Sequence, residues 1–431
     1  MNRNLIYRFV LLPGVLFALL AQAASAAVLD VAATKGALAQ ALAGAVNGDI
    51  LRLAPGVHSG PIVVGKTVTL DGQGQAVIDG NGTSRVVTID APAVMLRRVT
   101  VRGSGPLLET EDTGVFITAK GDGAVVENNI LDGNLIGVYL KGPKNAVVRG
   151  NNIHGRTDLR VNERGNGVQL WNTPGSQIIG NTITDGRDGI FTTTSRDNVF
   201  RGNTFIRTRI AVHYMYTNAS EVSGNVSRGN DVGYALMFSK KLTVRGNVSE
   251  DDRDHGFLLN YANRSVIENN RVTNGKSKCV FIYNSSKNTF RRNRFEGCAI
   301  GIHFTAGSER NAFTENAFIA NRHQVKYVGT RWLDWSLNGR GNFWSDNPAF
   351  DLDGDGLADA AYKPNDMVDA VLWAHPVAKL LLNSPAVQTL RWAQSQFPAL
   401  HPGGVIDSAP LMAPPELPPV ERSGAYGQPN G

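Results

Sequence analysis

Cysteine is almost absent from these 431 residues: Cys279 and Cys298 are the only two, so at most one intramolecular disulfide can form. Extreme charge is lacking too. The formal charge is +6 and the basic residues are scattered, which argues against a nucleic-acid partner. A negatively charged protein surface or an acidic polysaccharide is compatible with it. Long apolar runs are missing except at the start. There Arg3 and Arg8 accompany an apolar stretch over 9–20, followed by Ala21, Ala23, Ala24, Ser25 and Ala26. Ala-x-Ala sites end at Ala23 and Ala26, so residues 1–26 read as a secretory signal peptide. The stretch is short for a membrane anchor, which needs about 20 residues. Loss of Arg3 and Arg8 would lower the charge to +4.

What is abundant is repetition. An apolar residue stands three positions before each of Asn129, Asn151, Asn181, Asn203, Asn225, Asn247, Asn270, Asn293 and Asn316. The steps are 22, 30, 22, 22, 22, 23, 23 and 23, a near-constant period with one insertion, which is the signature of a solenoid. A second marker runs in register: Gly137, Gly167, Gly189, Ala211, Gly233, Gly256, Cys279 and Gly301. One and three residues after it come mostly apolar pairs such as Val212 with Tyr214 and Tyr234 with Leu236. Period-two alternation places these columns inside. The expected fold is all-β: a right-handed parallel β-helix over 27–330, its coils stacked at about 4.8 Å. The asparagines suit left-handed turns and can stack their amides as a ladder. Residues 34–45 read as an amphipathic helix capping the open sheet.

Cys279 and Cys298 fall on neighbouring coils about three strand positions out of step. At roughly 3.3 Å per residue that is too far for a relaxed bridge, so unpaired thiols are expected. Two insertions leave the stack, at 103–114 and 154–166. The second carries His154, Arg156, Asp158, Arg160, Glu163 and Arg164, and reads equally well as a functional loop or a solvated one.

Beyond residue 330 the pattern changes. Residues 331–372 form an expected aromatic cap, with Trp332, Trp335, Phe343 and Trp344 sealing the core. This segment also holds Asp351, Asp353, Asp355 and Asp359, spaced as in loops that offer oxygen ligands to calcium. The twelfth position, where a bidentate Glu belongs, is Tyr362, so Asp359, Asp366 or Asp369 would have to compensate. A metal-free loop of Asx turns is the alternative. In 373–398, Ser384 and Pro385 begin a helix whose apolar face is Val387, Leu390, Ala393 and Phe397. That face either packs on the solenoid or docks on another protein. Residues 399–431 read as a disordered Pro/Gly-rich tail, so a chain cut before Ser384 should still fold.

Two clusters bear on chemistry. Asp251, Asp252, Arg253, Asp254 and His255 lie in one turn, with no carboxylate ladder beside them, and read as a solvated acidic turn. The outward columns differ. Two residues after the marker stand Phe191, His213, Ala235, Leu258, Phe281 and His303; four after it stand Trp171, Thr193, Met215, Met237, Asn260 and Tyr283. Met215 and Met237 thus become neighbours, with His213 on the same face. Thioether plus imidazole is a donor set that selects Cu(I). An exposed apolar patch for protein contact is the competing reading.

At these residues the chain resembles the NosD family. The resemblance is carried by Ala211-Val-His-Tyr-Met-Tyr-Thr-Asn218, Gly233-Tyr-Ala-Leu-Met-Phe-Ser239 and Gly341-Asn-Phe-Trp-Ser-Asp346 with the Asp-rich loop. Asn365-Asp-Met-Val-Asp369 and Asn383-Ser-Pro-Ala-Val387 add to it. It implies a non-enzymatic periplasmic factor for maturation of nitrous oxide reductase, whose active site is a copper–sulfide cluster. It further implies association with the inner membrane through an ABC transporter made of an ATPase and a membrane subunit, and work with a copper-chaperone lipoprotein. It strengthens His213, Met215 and Met237 as copper candidates and makes the helix from Ser384 a contact for the membrane subunit. A polyuronate lyase or epimerase on the same fold is the rival class.

Overall fold

The computed structural model describes residues 26–365 except 306 and 330, residues 368, 377 and 381, and residues 384–396 and 404–419. The expected signal peptide, apart from Ala26, lies outside these, as do Asp366, Asp369 and Phe397. Each coil supplies three short strands. One runs through Gln177–Ile179, Thr182–Thr184 and Asp188–Thr193, the next through Val199–Arg201, Thr204–Ile206 and Ile210–Met215. The first two strands of successive coils build a 24-stranded sheet, and the third builds a 12-stranded sheet of longer strands. Coils pair in parallel at one-period register, Ile178 with Phe200 and Ile190 with Val212. The fold is therefore a parallel β-solenoid. Among the described residues no helix is long and apolar enough to cross a membrane.

The columns expected inside are inside. Val212, Tyr214, Tyr234, Leu236, Phe257 and Leu259 are completely buried. Full burial of each such side chain contributes roughly 1.5–3 kcal/mol. The asparagine ladder is also present. Asn203 Nδ2 donates to Asn225 Oδ1 at 3.0 Å and to the carbonyl of Ile178 at 2.8 Å, and Asn225 Oδ1 accepts the backbone N–H of Asn203. It runs one rung further than the sequence pattern, from Asn316 to Asn342. The left-handed turn, however, belongs to the residue before each rung: Gly202 at φ 64°, Asn269 at 56°, Arg292 at 53°. The rung asparagine is required for its amide, which donates and accepts at once.

At the N-terminal end a helix, α1 (Ala37–Gly44), buries Leu38 and lays Ala37, Ala41 and Leu42 against the core. At the other end Trp335 and Trp344 are buried, and Trp335 stacks on Phe313 at 4.0 Å and Trp344 on Phe318 at 4.3 Å. Trp332, by contrast, is nearly half exposed. A second helix, α2 (Pro385–Gln396), stands where Ser384 signalled it, with Leu390 about half exposed.

Two expectations need correction. The tail is not disordered over 404–419. The strand Gly404–Ile406 pairs with Trp332–Asp334, Val405 is completely buried, and Asp407 accepts from Trp344 Nε1 at 2.8 Å and from the backbone N–H of Asn342 at 2.7 Å. This return segment terminates the ladder, so a chain cut before Ser384 would lose part of the core. Cys279 and Cys298 are disulfide-bonded, with Cα atoms 5.7 Å apart. Cys298 lies in the corner between Arg294–Glu296 and Ile300–Thr305. A corner folds back, so counting its residues as extended strand overstated the separation.

Candidate functional site on the long-strand sheet

The strands Asp188–Thr193, Ile210–Met215, Val232–Met237 and His255–Asn260 are consecutive in the long-strand sheet. Register aligns Thr193, Met215, Met237 and Asn260 in one column and Phe191, His213, Ala235 and Leu258 in another. Met215 and Met237 are therefore direct partners on neighbouring coils, about 4.8 Å apart at the backbone, and both are half-buried. His213 precedes Met215 by two residues and so shares its face.

His213 is fixed by its surroundings. Its Nδ1 lies 2.9 Å from Asp188 Oδ2, and its ring meets the edge of Phe191 with centroids 5.1 Å apart. Its Nε2 is buried and has no hydrogen-bond partner among the described residues. Asp188 is only 1% exposed and also accepts from Arg209, Nε at 2.8 Å and Nη2 at 2.7 Å. Burial alone would raise the Asp188 carboxyl, but the hydrogen bonds from His213 and Arg209 overcome it and hold it below its ordinary value. Sequence reasoning missed Asp188. It stands one residue before the Gly189 marker, in a third outward column with Ile210, Val232 and His255 that two-column counting skipped.

The setting is apolar. Ile210, Val232 and Ala235 form a small buried cluster outside the main core, with Met237 and Leu258 packed on it. Along the adjoining corner, Tyr216, Phe238 and Tyr261 stack at 5.0 and 5.3 Å, and Tyr216 and Tyr261 are exposed. Two soft sulfurs in register beside an imidazole whose Nε2 is unpartnered fit a Cu(I) cargo; the aromatic corner fits a protein contact. Further along, His303 faces Phe281 and Lys326 in register, with no thioether beside it among the described residues.

The other candidates separate. Asp351, Asp353 and Asp359 bring carboxylate oxygens within 4.8 Å of one another, while Asp355 is not in that group. Asp351 already accepts the backbone N–H groups of Gly354 and Gly356, at 2.7 and 2.9 Å; the Gly356 bond foremost lowers its carboxyl. The acidic turn is not solvated throughout. Asp252 is completely buried and accepts from Ser227 Oγ, Ser249 Oγ and the Asn230 N–H; burial raises its pKa to about 6. In the 154–166 insertion, Arg164 donates to the carbonyls of Leu159 and Asp185, tying the loop to the coil above.

Two relatives decide the family. One from Stutzerimonas stutzeri is 41% identical over 375 residues, covering 84% of this chain and 86% of its own; one from Pseudomonas aeruginosa is 41% identical over 380 residues, covering 85% and 89%. Both bear the name probable ABC transporter binding protein NosD. The chain belongs to the NosD family. The family model, described as periplasmic copper-binding protein (NosD), matches residues 149–349, which include the whole His213, Met215 and Met237 platform. Solved structures resemble this NosD-family chain in fold alone. A family 28 exopolygalacturonase from Yersinia enterocolitica has a TM-score of 0.53 at 10% identity, covering 75% of this chain and 79% of its own. The A-module of the Azotobacter vinelandii mannuronan C-5 epimerase AlgE6 has 0.51 at 16%, covering 71% and 91%.

Proposed function

We propose that this NosD-family protein is a periplasmic maturation factor for the copper–sulfide centre of nitrous oxide reductase. On a right-handed solenoid capped by α1, it receives or passes on copper, coupled to an ABC transporter. The observation that carries this reading is the register of Met215 with Met237 beside His213. Those three residues would hold Cu(I) transiently: thioethers are flexible and polarisable, and two of them with one imidazole suit Cu(I) far better than Zn(II). An incomplete, partly open donor set also allows release. A copper-chaperone lipoprotein would deliver the ion, the transporter's ATPase and membrane subunit would hold the complex at the inner membrane, and Leu390 on α2 would meet the membrane subunit. Asp351, Asp353 and Asp359 would supply a structural calcium site, with Asp355 holding the turn through the Leu357 N–H.

The lyase or epimerase reading is weaker. Such chemistry needs a base or a charge-stabilising group free to meet the substrate. The carboxylate that touches His213 on this face, Asp188, is buried and already accepts from Arg209 and His213.

The deciding experiment purifies the exported form with and without its partners and measures bound Cu(I). The Met215→Leu, Met237→Leu double variant keeps shape and apolarity but removes sulfur. It should fold, bind its transporter, and yield reductase lacking the catalytic cluster. Fully metallated, active reductase from that strain would refute the copper role and leave a protein-contact patch.

A further inference from the structure

We infer that Asp188 is a positioning residue for the copper site proposed above: it fixes His213 as the Nδ1–H tautomer and leaves the Nε2 lone pair for the metal. The inference rests on the copper reading. Its basis is the hydrogen-bond arrangement. Arg209 is donor-only and places two N–H groups on the Asp188 oxygens at 2.8 and 2.7 Å, so this carboxylate acts as an acceptor. The group 2.9 Å from Oδ2, His213 Nδ1, must then be the donor. A neutral imidazole that carries its proton on Nδ1 has a bare Nε2.

That Nε2 is buried and, among the described residues, unpartnered. Buried polar atoms in folded proteins nearly always find a partner, and one that does not calls for a reason. Here the atom lies on the face that carries two thioethers in register. A Lewis acid would supply what Nε2 lacks. The carboxylate cannot drift to serve otherwise, because it is almost completely buried and Arg209 grips it from the other side. Metal-bound histidines are commonly held this way, their second nitrogen tied to a carboxylate that sets tautomer and ring orientation. The arrangement joins two coils: Asp188 pairs in register with Ile210, and His213 with Phe191, so the hydrogen bond runs diagonally between adjacent strands.

The test uses the full exported chain with 15N-labelled histidine, of which there are eight. NMR of the metal-free protein should show the imidazole that vanishes in His213→Ala to be the Nδ1–H tautomer; an Nε2–H tautomer overturns the proposal without any change at Asp188. Cu(I) affinity is then measured by competition with a colorimetric Cu(I) chelator. Asp188→Asn should weaken binding about 10–100-fold and redistribute the His213 tautomers, with the melting temperature recorded as a check on folding. If that variant is unstable because Arg209 is stranded, Asp188→Asn with Arg209→Gln removes the stranded charge and should show the same loss. Wild-type affinity in a folded Asp188 variant would overturn the proposal and leave the copper reading intact. Wild-type protein that binds no Cu(I), or His213→Ala that binds it as tightly as wild type, would overturn the role of His213 and this proposal with it.

Discussion

On the strands Ile210–Met215 and Val232–Met237, inward Val212, Tyr214, Tyr234 and Leu236 are completely buried, while outward His213, Met215 and Met237 are only partly covered. The inward column changes identity from coil to coil, Val212, Tyr234, Phe257, Val280, Ile302, and asks only for apolar bulk. The outward face is apolar too, at Ile210, Val232 and Ala235, yet it carries an imidazole, a buried carboxylate and two aligned thioethers. Core packing does not require those groups. The same backbone therefore serves two purposes: its inner side makes the scaffold, and its outer side uses the coil spacing to place donors.

The largest effect should come from breaking the inner side. Leu236→Asp removes a completely buried side chain and strands a charge with no partner. It should cost about 3–5 kcal/mol or prevent folding. Met237→Asp, one residue away on the outer side, should cost less than ~2 kcal/mol, since water can reach part of it. Urea denaturation followed by circular dichroism measures both, and equal losses would erase the distinction between the two sides.

Asp252 is one of the buried polar groups of the scaffold, and it sharpens the comparison through pH. Its folded pKa of about 6 lies above the ordinary 3.8, because burial disfavours the anion. A raised carboxyl contributes stability that is fully present below the unfolded value and lost as pH rises through about 6. At ~1.4 kcal/mol per unit, that is roughly 2–3 kcal/mol between pH 4 and pH 7.5. His303, lowered to about 4 chiefly by burial, opposes it in the same window. The measure is therefore the difference between wild type and Asp252→Asn, which should grow in favour of the variant as pH rises. A constant difference across that range would mean that Asp252 does not titrate with folding.

Regularity decided what could be read in advance. Equal coils of 22 or 23 residues make sequence offset equal to spatial register, so the inward columns and the Met215–Met237 pairing were legible from counting alone. Where the chain leaves that grid, counting fails. The Asp188–His213 contact is diagonal and begins in an uncounted column. The Cys279–Cys298 bond spans a corner. Asp407 reaches Asn342 and Trp344 from a Pro-rich stretch with no periodicity, across more than sixty residues. The outer donors follow the grid, which is why they could be named, but the groups that orient them do not.

A smaller effect on folding is expected from the double Leu change at Met215 and Met237. Leu and Met are close in volume, so each should shift stability by less than ~1.5 kcal/mol while copper binding is lost. The outer side would then be functional without being structural. A loss of stability comparable to Leu236→Asp would place the two sulfurs among the scaffold residues and undo the comparison.

The Asp-rich loop offers the smallest effect and tests whether a donor set built by a turn behaves like one built by coil spacing. Asp351 already accepts two backbone N–H groups, and Asp359 Oδ2 accepts the Leu352 N–H at 2.9 Å, so the loop keeps its shape through its own bonds. Calcium would add to an organised turn rather than create one. With a dissociation constant of 10⁻⁴–10⁻³ M, as in extracellular modules, 1 mM calcium would stabilise by only about 0.4–1.4 kcal/mol. Chelator should therefore lower the melting temperature slightly. Asp353→Ala should abolish that response, because its carboxylate belongs to the convergent trio. Asp355→Ala should retain it, because Asp355 stands outside the trio and holds the Leu357 N–H at 2.8 Å instead. If wild type ignores chelator altogether, the loop is a set of Asx turns. If both variants lose the response, the ligand set extends beyond the trio and the turn rearranges to bind.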